Sequence, residues 1–107
     1  MITDRTQYLL LRLAEEATEV AHAAHKAAHF GLDASPPDLL RGVVHTNRDQ
    51  LVLELTELAE VAVLLGEKLP PPSNAEQHYI SGRKLARMWE ALKRAQALGL
   101  VSKEVTL

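Results

Sequence analysis

The chain has no cysteine, which excludes disulfides and thiolate zinc sites. It has only four aromatic residues, one Trp, one Phe and two Tyr. Leu, Ala and Val therefore dominate the 47% of residues that are apolar. Charge of either sign is weak in sum. A net charge of −2 argues against a general nucleic-acid-binding surface. No apolar run reaches membrane-spanning length, and Asp4 and Arg5 interrupt the N-terminus too early for a signal peptide. No glycine-rich phosphate loop is present, and serines are too few for a nucleophile triad. Internal repeats, low-complexity segments and linkers are lacking too. The expectation is a soluble, cytoplasmic protein with no nucleic-acid and no membrane partner. At 107 residues it has the size of one small domain, 1–107. So short a chain buries a modest core, which oligomerisation would supplement.

What is abundant is helix-forming sequence, rich in Leu, Ala, Glu, Lys and Arg. The first segment, 3–30 with its cap, predicts a helix from about Asp4 to Phe30, capped by Thr3 and stopped by Gly31. Leu9, Leu13, Val20, Ala24 and Ala28 mark its expected buried face. A loop from Leu32 to His45 follows. Within it, Ser35-Pro36-Pro37-Asp38-Leu39-Leu40 reads as a cap, a first-turn proline and one short helical turn. A second helix spans 47–68, capped by Asn47 or Thr46, with Asn47–Gln50 nearer to a capping box than Thr46–Asp49. Pro70-Pro71-Pro72 ends it. A third helix spans 73–98, with Ser73 and Glu76 forming a capping box and an apolar stripe of Ile80, Leu85, Met88, Trp89 and Leu92. Residues 99–107 form a tail, with Val101 to Leu107 a loose end or a partner-contact arm. The fold class expected is all-α: a bundle of three main helices plus a short one, completed by homo-oligomerisation.

Chemistry concentrates in two acid motifs, Glu15-Glu16-Ala17-Thr18-Glu19 and Glu54-Leu55-Thr56-Glu57. Acids three apart on a helix are neighbours and share ligands. Such carboxylates cannot sit together ionised without a counter-charge, and a hard cation such as Mg²⁺ takes carboxylate and phosphate oxygens. On the first helix Glu15, Glu19, His22 and Lys26 fall within about 60° of one another, opposite the leucines, and Glu16 lies between that polar face and the core. Glu54 instead shares the sector of Leu51, Leu58, Val61 and Leu65, and Glu57 borders Leu53 and Leu64. A carboxylate on an apolar stripe costs several kcal/mol unless it is partnered. A structural alternative pairs Glu54 with Arg12 or Arg48. Glu60 lies further round and reads as solvated.

Two further sets bear on the reading. His22, His25 and His29 share one side of the first helix, and Glu19-Val20-Ala21-His22 fits the Glu-x-x-His pattern of di-iron bundles. Arg83, Lys84, Arg87, Lys93 and Arg94 on the third helix form a solvated face or a phosphate clamp. Lys84 and Arg87 are placed to reach inward beside Met88 and Trp89.

With these motifs in view, the chain resembles the MazG-like all-α NTP pyrophosphohydrolases in their short, single-domain form. That family carries Glu-Glu-x-x-Glu on one helix and Glu-x-x-Asp on the next. The first motif is complete here as Glu15, Glu16 and Glu19. The second falls on Glu54 to Glu57, with Glu where the family has Asp. A rival register, Glu57 to Glu60, departs in the same way, and Glu54 is preferred because it lies on the apolar stripe. The likeness covers about residues 8–66, with the third helix matching only loosely. It implies metal ligation by Glu16, Glu19, Glu54 and Glu57, with Mg²⁺ as cofactor and Mn²⁺ as a substitute. It also implies hydrolysis of a nucleoside triphosphate between the α and β phosphates, in dimers or dimers of dimers. In that chemistry Glu15 or Glu19 would hold the attacking water, and Lys26, Lys84 or Arg87 the outgoing pyrophosphate. Trp89, Tyr79 or Phe30 would stack on the base. Two other readings stand beside it: a dimeric di-iron-type carboxylate–histidine protein, and a non-catalytic helical dimer acting as an adaptor.

Overall fold

A computed structural model describes residues 1–35 and 45–107 of the chain. These residues form three long helices, α1 (Arg5–Phe30), α2 (Asn47–Leu65) and α3 (Asn74–Ala97), with a short 3₁₀ turn Gly66–Lys68 after α2. No strand occurs among the described residues, so the all-α class holds. Among the described residues no helix is long and apolar enough to cross a membrane. The chain divides into two compact units, Met1–Pro70 and Pro71–Leu107.

In the first unit α1 and α2 run antiparallel. At one end the Arg5 guanidinium donates to the Leu64 carbonyl at 3.2 Å. At the other, the start of α2 is bonded to the chain just after α1. Asn47 N–H donates to Ala34 O at 2.9 Å and Arg48 N–H to Leu32 O at 2.8 Å. The buried Asn47 amide donates to Gly31 O at 3.0 Å, and Arg48 grips Asp33 through two nitrogens. Gly31 makes this joint possible: its φ of 97° lets the chain leave α1 while its own N–H still closes on Ala27 O.

The seam follows a repeat of four and three residues on both helices. On α1 it runs through Leu9, Leu13, Glu16, Val20, Ala23 and Ala27; on α2 through Asn47, Leu51, Glu54, Leu58, Val61 and Leu65. That alternation keeps one face of each helix turned to the other. It corrects the expected face of α1, because Ala24 and Ala28 are exposed and Ala23 and Ala27 are buried. The expected face steps by four twice in succession, from Val20 to Ala24 to Ala28, and each step of four turns about 40° past the stripe; at about 100° per residue Ala27 falls directly below Leu9. The buried apolar set among the described residues is small: Leu9, Ala23, Ala27 and Leu65.

Capping differs from expectation in two places. Asp4, not Thr3, caps α1, its carboxylate accepting from Thr6 N–H at 3.0 Å. Thr46, one of the two caps expected, caps α2, and the full capping box forms with Asp49 instead of between Asn47 and Gln50: Thr46 Oγ1 accepts from Asp49 N–H, and the Asp49 carboxylate from Thr46 N–H. Asp is shorter than the Glu or Gln of the usual box, yet it spans the same gap. Asn47 is thereby free to anchor the joint. α2 ends at Leu65, and the last three residues of the expected 47–68 span are the 3₁₀ turn. The turn expected at Ser35 to Leu40 lies, from Pro36 on, outside the described residues.

In the second unit Ser73 caps α3 after the proline run, its hydroxyl accepting from Glu76 N–H at 3.2 Å. Gly99, at φ 74°, closes the helix: Leu100 N–H returns to Ala95 O and Gly99 N–H to Gln96 O, the paired bonds of a glycine-terminated helix. The end of the chain is not loose. The Gln96 amide donates to Ser102 O and Val105 O, folding the tail onto the last turn of α3.

The joint yields a stability prediction. Asn47→Ala removes a buried donor and strands the Gly31 carbonyl, so urea denaturation should show a loss of about 1–3 kcal/mol. An unchanged midpoint would show that the antiparallel pairing does not depend on this amide.

Candidate metal centre

The two acid motifs meet in the middle of the α1–α2 seam. One carboxylate oxygen each from Glu16, Glu19, Glu54 and Glu57 lies within 4.8 Å of the other three. Each helix contributes alike. Glu16 and Glu54 sit in the seam, 4% and 9% exposed, whereas Glu19 and Glu57 lie at its rim and are exposed. Three residues along a helix rotate a side chain by about 60° from its starting direction, enough to pass from seam to rim. The group thus has a buried floor and a solvent-facing edge.

Hydrogen bonds account for only half of the floor. Glu16 Oε1 accepts from Arg12 Nη2 at 3.0 Å, and Glu54 Oε1 accepts from Gln50 Nε2 at 2.6 Å. The second oxygen of each, Oε2, is buried without a hydrogen-bond partner among the described residues. Neither arginine weighed as a partner for Glu54 is bonded to it. Arg12 bridges Glu15 and Glu16, and Arg48 pairs with Asp33. Thr18 and Thr56, inside the two motifs, turn their hydroxyls onto Ala14 O and Val52 O of their own helices, so neither adds a ligand. Four carboxylates with two unsatisfied buried oxygens fit a hard divalent cation such as Mg²⁺ or Mn²⁺, which takes oxygen donors.

Other residues singled out from the sequence stand elsewhere. Glu15 is exposed and bonded to Arg12 at 2.6 Å; it is not one of the four grouped acids. Glu60 is exposed, as its position on the wheel implies. His22, His25 and His29 are exposed, and none belongs to the carboxylate group. His25 and His29 lie side by side with ring centroids 6.4 Å apart. Lys26 is exposed on α1, about 10 Å along the axis from Glu19 at 1.5 Å per residue. In the second unit Lys84 and Arg87 border an open groove on α3 with Met88 and Arg94, and Trp89 is half-buried. Tyr79 and Phe30 are exposed. Gln50 is the residue that sequence reasoning missed. Its signal was available, since it precedes Glu54 by four residues as Arg12 precedes Glu16. Comparison with protein-family models, with curated proteins and with solved structures finds no match for this chain.

Crowding sets the proton affinity of the group. Glu19 is raised from its ordinary 4.5 to about 6, first by the close approach of its carboxyl to that of Glu54 and then by the charge of Glu16. Glu57 is raised as well, by partial loss of water around its carboxyl and by the charges of Glu54 and Glu16. Glu57 is exposed as a whole residue, so only its carboxyl end is crowded. Asp49 moves the opposite way, lowered by the backbone and hydroxyl of Thr46 in the capping box.

The sign of the pH dependence follows. A carboxylic acid raised in the folded state stabilises below its unfolded value, and that stabilisation is lost as pH climbs through the folded value. Glu19 should therefore make the metal-free protein less stable between about pH 4.5 and about 6. Asp49 acts only at lower pH, where its protonation removes stability. Melts in chelator across this window should fall more steeply for the native chain than for Glu19→Gln. Parallel curves for the two proteins would contradict the crowding described here.

Proposed function

We propose that this chain is a MazG-like, metal-dependent nucleoside triphosphate pyrophosphohydrolase, converting (d)NTP and water to (d)NMP and pyrophosphate. The observation that carries the reading is the meeting of two Glu-x-x-Glu pairs, one per antiparallel helix, with an unpartnered buried oxygen on each. Glu16, Glu19, Glu54 and Glu57 would hold Mg²⁺, or Mn²⁺ in its place. The cation would supply charge neutralisation on the phosphate oxygens in the transition state.

The residues divide the remaining work by position. Glu16 and Glu54, on the floor, stay shielded from solvent. Glu19 and Glu57, on the rim, face the side from which a triphosphate arrives. Glu19, exposed at the rim of the group, is placed to meet the attacking water and take a proton from it. Glu15 is engaged with Arg12, which leaves the water-holding role to Glu19. Lys26 shares this helix and would steady the departing pyrophosphate. On side-chain chemistry alone, Lys84 and Arg87 would bind phosphate and Trp89 would stack on the base. A di-iron reading requires His22 within the carboxylate group, and it lies outside.

Self-association belongs to the same proposal. Leu10, Leu11, Val52, Leu53, Leu55, Val63 and Leu64 are large apolar side chains left exposed on α1 and α2. Apolar exposure on this scale marks an interaction surface, and a homodimer or dimer of dimers would cover it. Light scattering at micromolar concentration should report at least a dimer; a monomer would contradict this part of the reading.

The reaction is tested directly. With Mg²⁺ or Mn²⁺ and a panel of NTPs and dNTPs, the products should be NMP and pyrophosphate, without NDP. EDTA should stop turnover. Glu54→Gln should abolish it while the metal-free fold melts at the same or a higher temperature, since one crowded charge is gone. Release of NDP and orthophosphate would overturn the cleavage position. No turnover together with no binding of a divalent ion would favour the adaptor reading instead.

A further inference from the structure

The two buried carboxylates are held by the same device. Arg12 lies four residues before Glu16 and Gln50 four residues before Glu54, so each donor reaches its acid across one helical turn. Each donor bonds Oε1 alone, at 3.0 Å and 2.6 Å. Each leaves Oε2 buried and unpartnered. A donor on one oxygen fixes the torsion that aims the other, which is how groups behind a metal ligand orient it. Arg12 is itself anchored, its second nitrogen bonding Glu15 at 2.6 Å.

We propose that Arg12 and Gln50 are the positioning residues of this carboxylate centre, each occupying one oxygen so that Glu16 and Glu54 meet a hard divalent cation through Oε2 alone. Glu15 acts one step further back, by holding Arg12. The inference rests on the metal-binding reading above. It also accounts for the difference between the two donors. A guanidinium lowers the negative charge of the centre, whereas the Gln50 amide orients without doing so. One donor of each kind tempers the repulsion among four acids yet leaves them a net attraction for a cation.

Charge and orientation make opposite predictions, and this makes the test decisive. If Arg12 acted only through its charge, its loss would strengthen cation binding. If it acts by holding Glu16, its loss weakens binding. The probe is Mn²⁺ alone, titrated into the full chain by calorimetry and followed by the paramagnetic resonance of free Mn²⁺. Arg12→Leu and Gln50→Leu should each bind Mn²⁺ roughly 10- to 100-fold more weakly. Arg12→Gln, which copies the Gln50–Glu54 pair on the other helix, should keep near-native affinity. Glu60→Gln, on an exposed position outside the group, should bind as the native chain does. Helicity by circular dichroism at the titration temperature confirms that each variant is folded.

The outcomes separate cleanly. If the native chain does not bind Mn²⁺, the metal reading fails and this inference falls with it. If the native chain binds and Glu54→Gln does not, but both leucine variants match the native affinity, the positioning roles are overturned while the metal reading stands. Tighter binding by Arg12→Leu, or equal binding by Arg12→Leu and Arg12→Gln, overturns the role of Arg12.

Discussion

Two carboxylates buried in the seam of a two-helix hairpin are the constraint on which the rest of this molecule turns. A seam normally takes apolar side chains, and an ionised acid there costs several kcal/mol unless something meets its charge. Glu16 and Glu54 occupy that position on opposite helices. The surrounding arrangement answers them in part, with one guanidinium and one amide. Two oxygens stay unanswered. Fold and proposed chemistry therefore meet at one place, because closing α1 on α2 is what brings the acids together.

The joint between the helices carries a disproportionate share of the order. With few apolar residues buried in the first unit, the relative placement of α1 and α2 relies on directional bonds. Asn47, Arg48 and the backbone of residues 31–34 supply them at one end, and Arg5 at the other. Alanines at 23 and 27 in the seam give little burial for their length, since each adds only a methyl group. Polar anchoring and small seam residues form a consistent set: the hairpin is positioned more than it is glued.

Much of this architecture can be read from the residues. Gly31, the proline run and Ser73 announce helix ends because glycine and proline restrict the backbone and serine satisfies free N–H groups. Glu54 stands out since it interrupts an apolar stripe. What escaped has physical causes. The buried face of α1 was misplaced at Ala24 and Ala28 because two successive steps of four turn past the stripe, where an alternation of three and four stays on it. The pattern prefers Asn47–Gln50 to Thr46–Asp49 as the capping box because the usual partner is Glu or Gln and Asp is shorter. The choice is made by Asn47, whose side chain is drawn away to Gly31 O. Glu15 sits next to Glu16 in sequence, yet Arg12 claims it for the surface. Such outcomes depend on which of several partners a long side chain meets, and spacing alone does not rank them.

The capping box of α2 has a consequence beyond starting that helix. Asp49 and Glu57 lie on one helix, eight residues apart, and their proton affinities are displaced in opposite directions. Asp49 keeps its charge into solutions acidic enough to put protons on Glu19 and Glu57. Mild acid is thus registered at the centre of the hairpin while the cap at its end stays intact. One helix in this way carries both an acid-resistant fastening and an acid-sensitive middle.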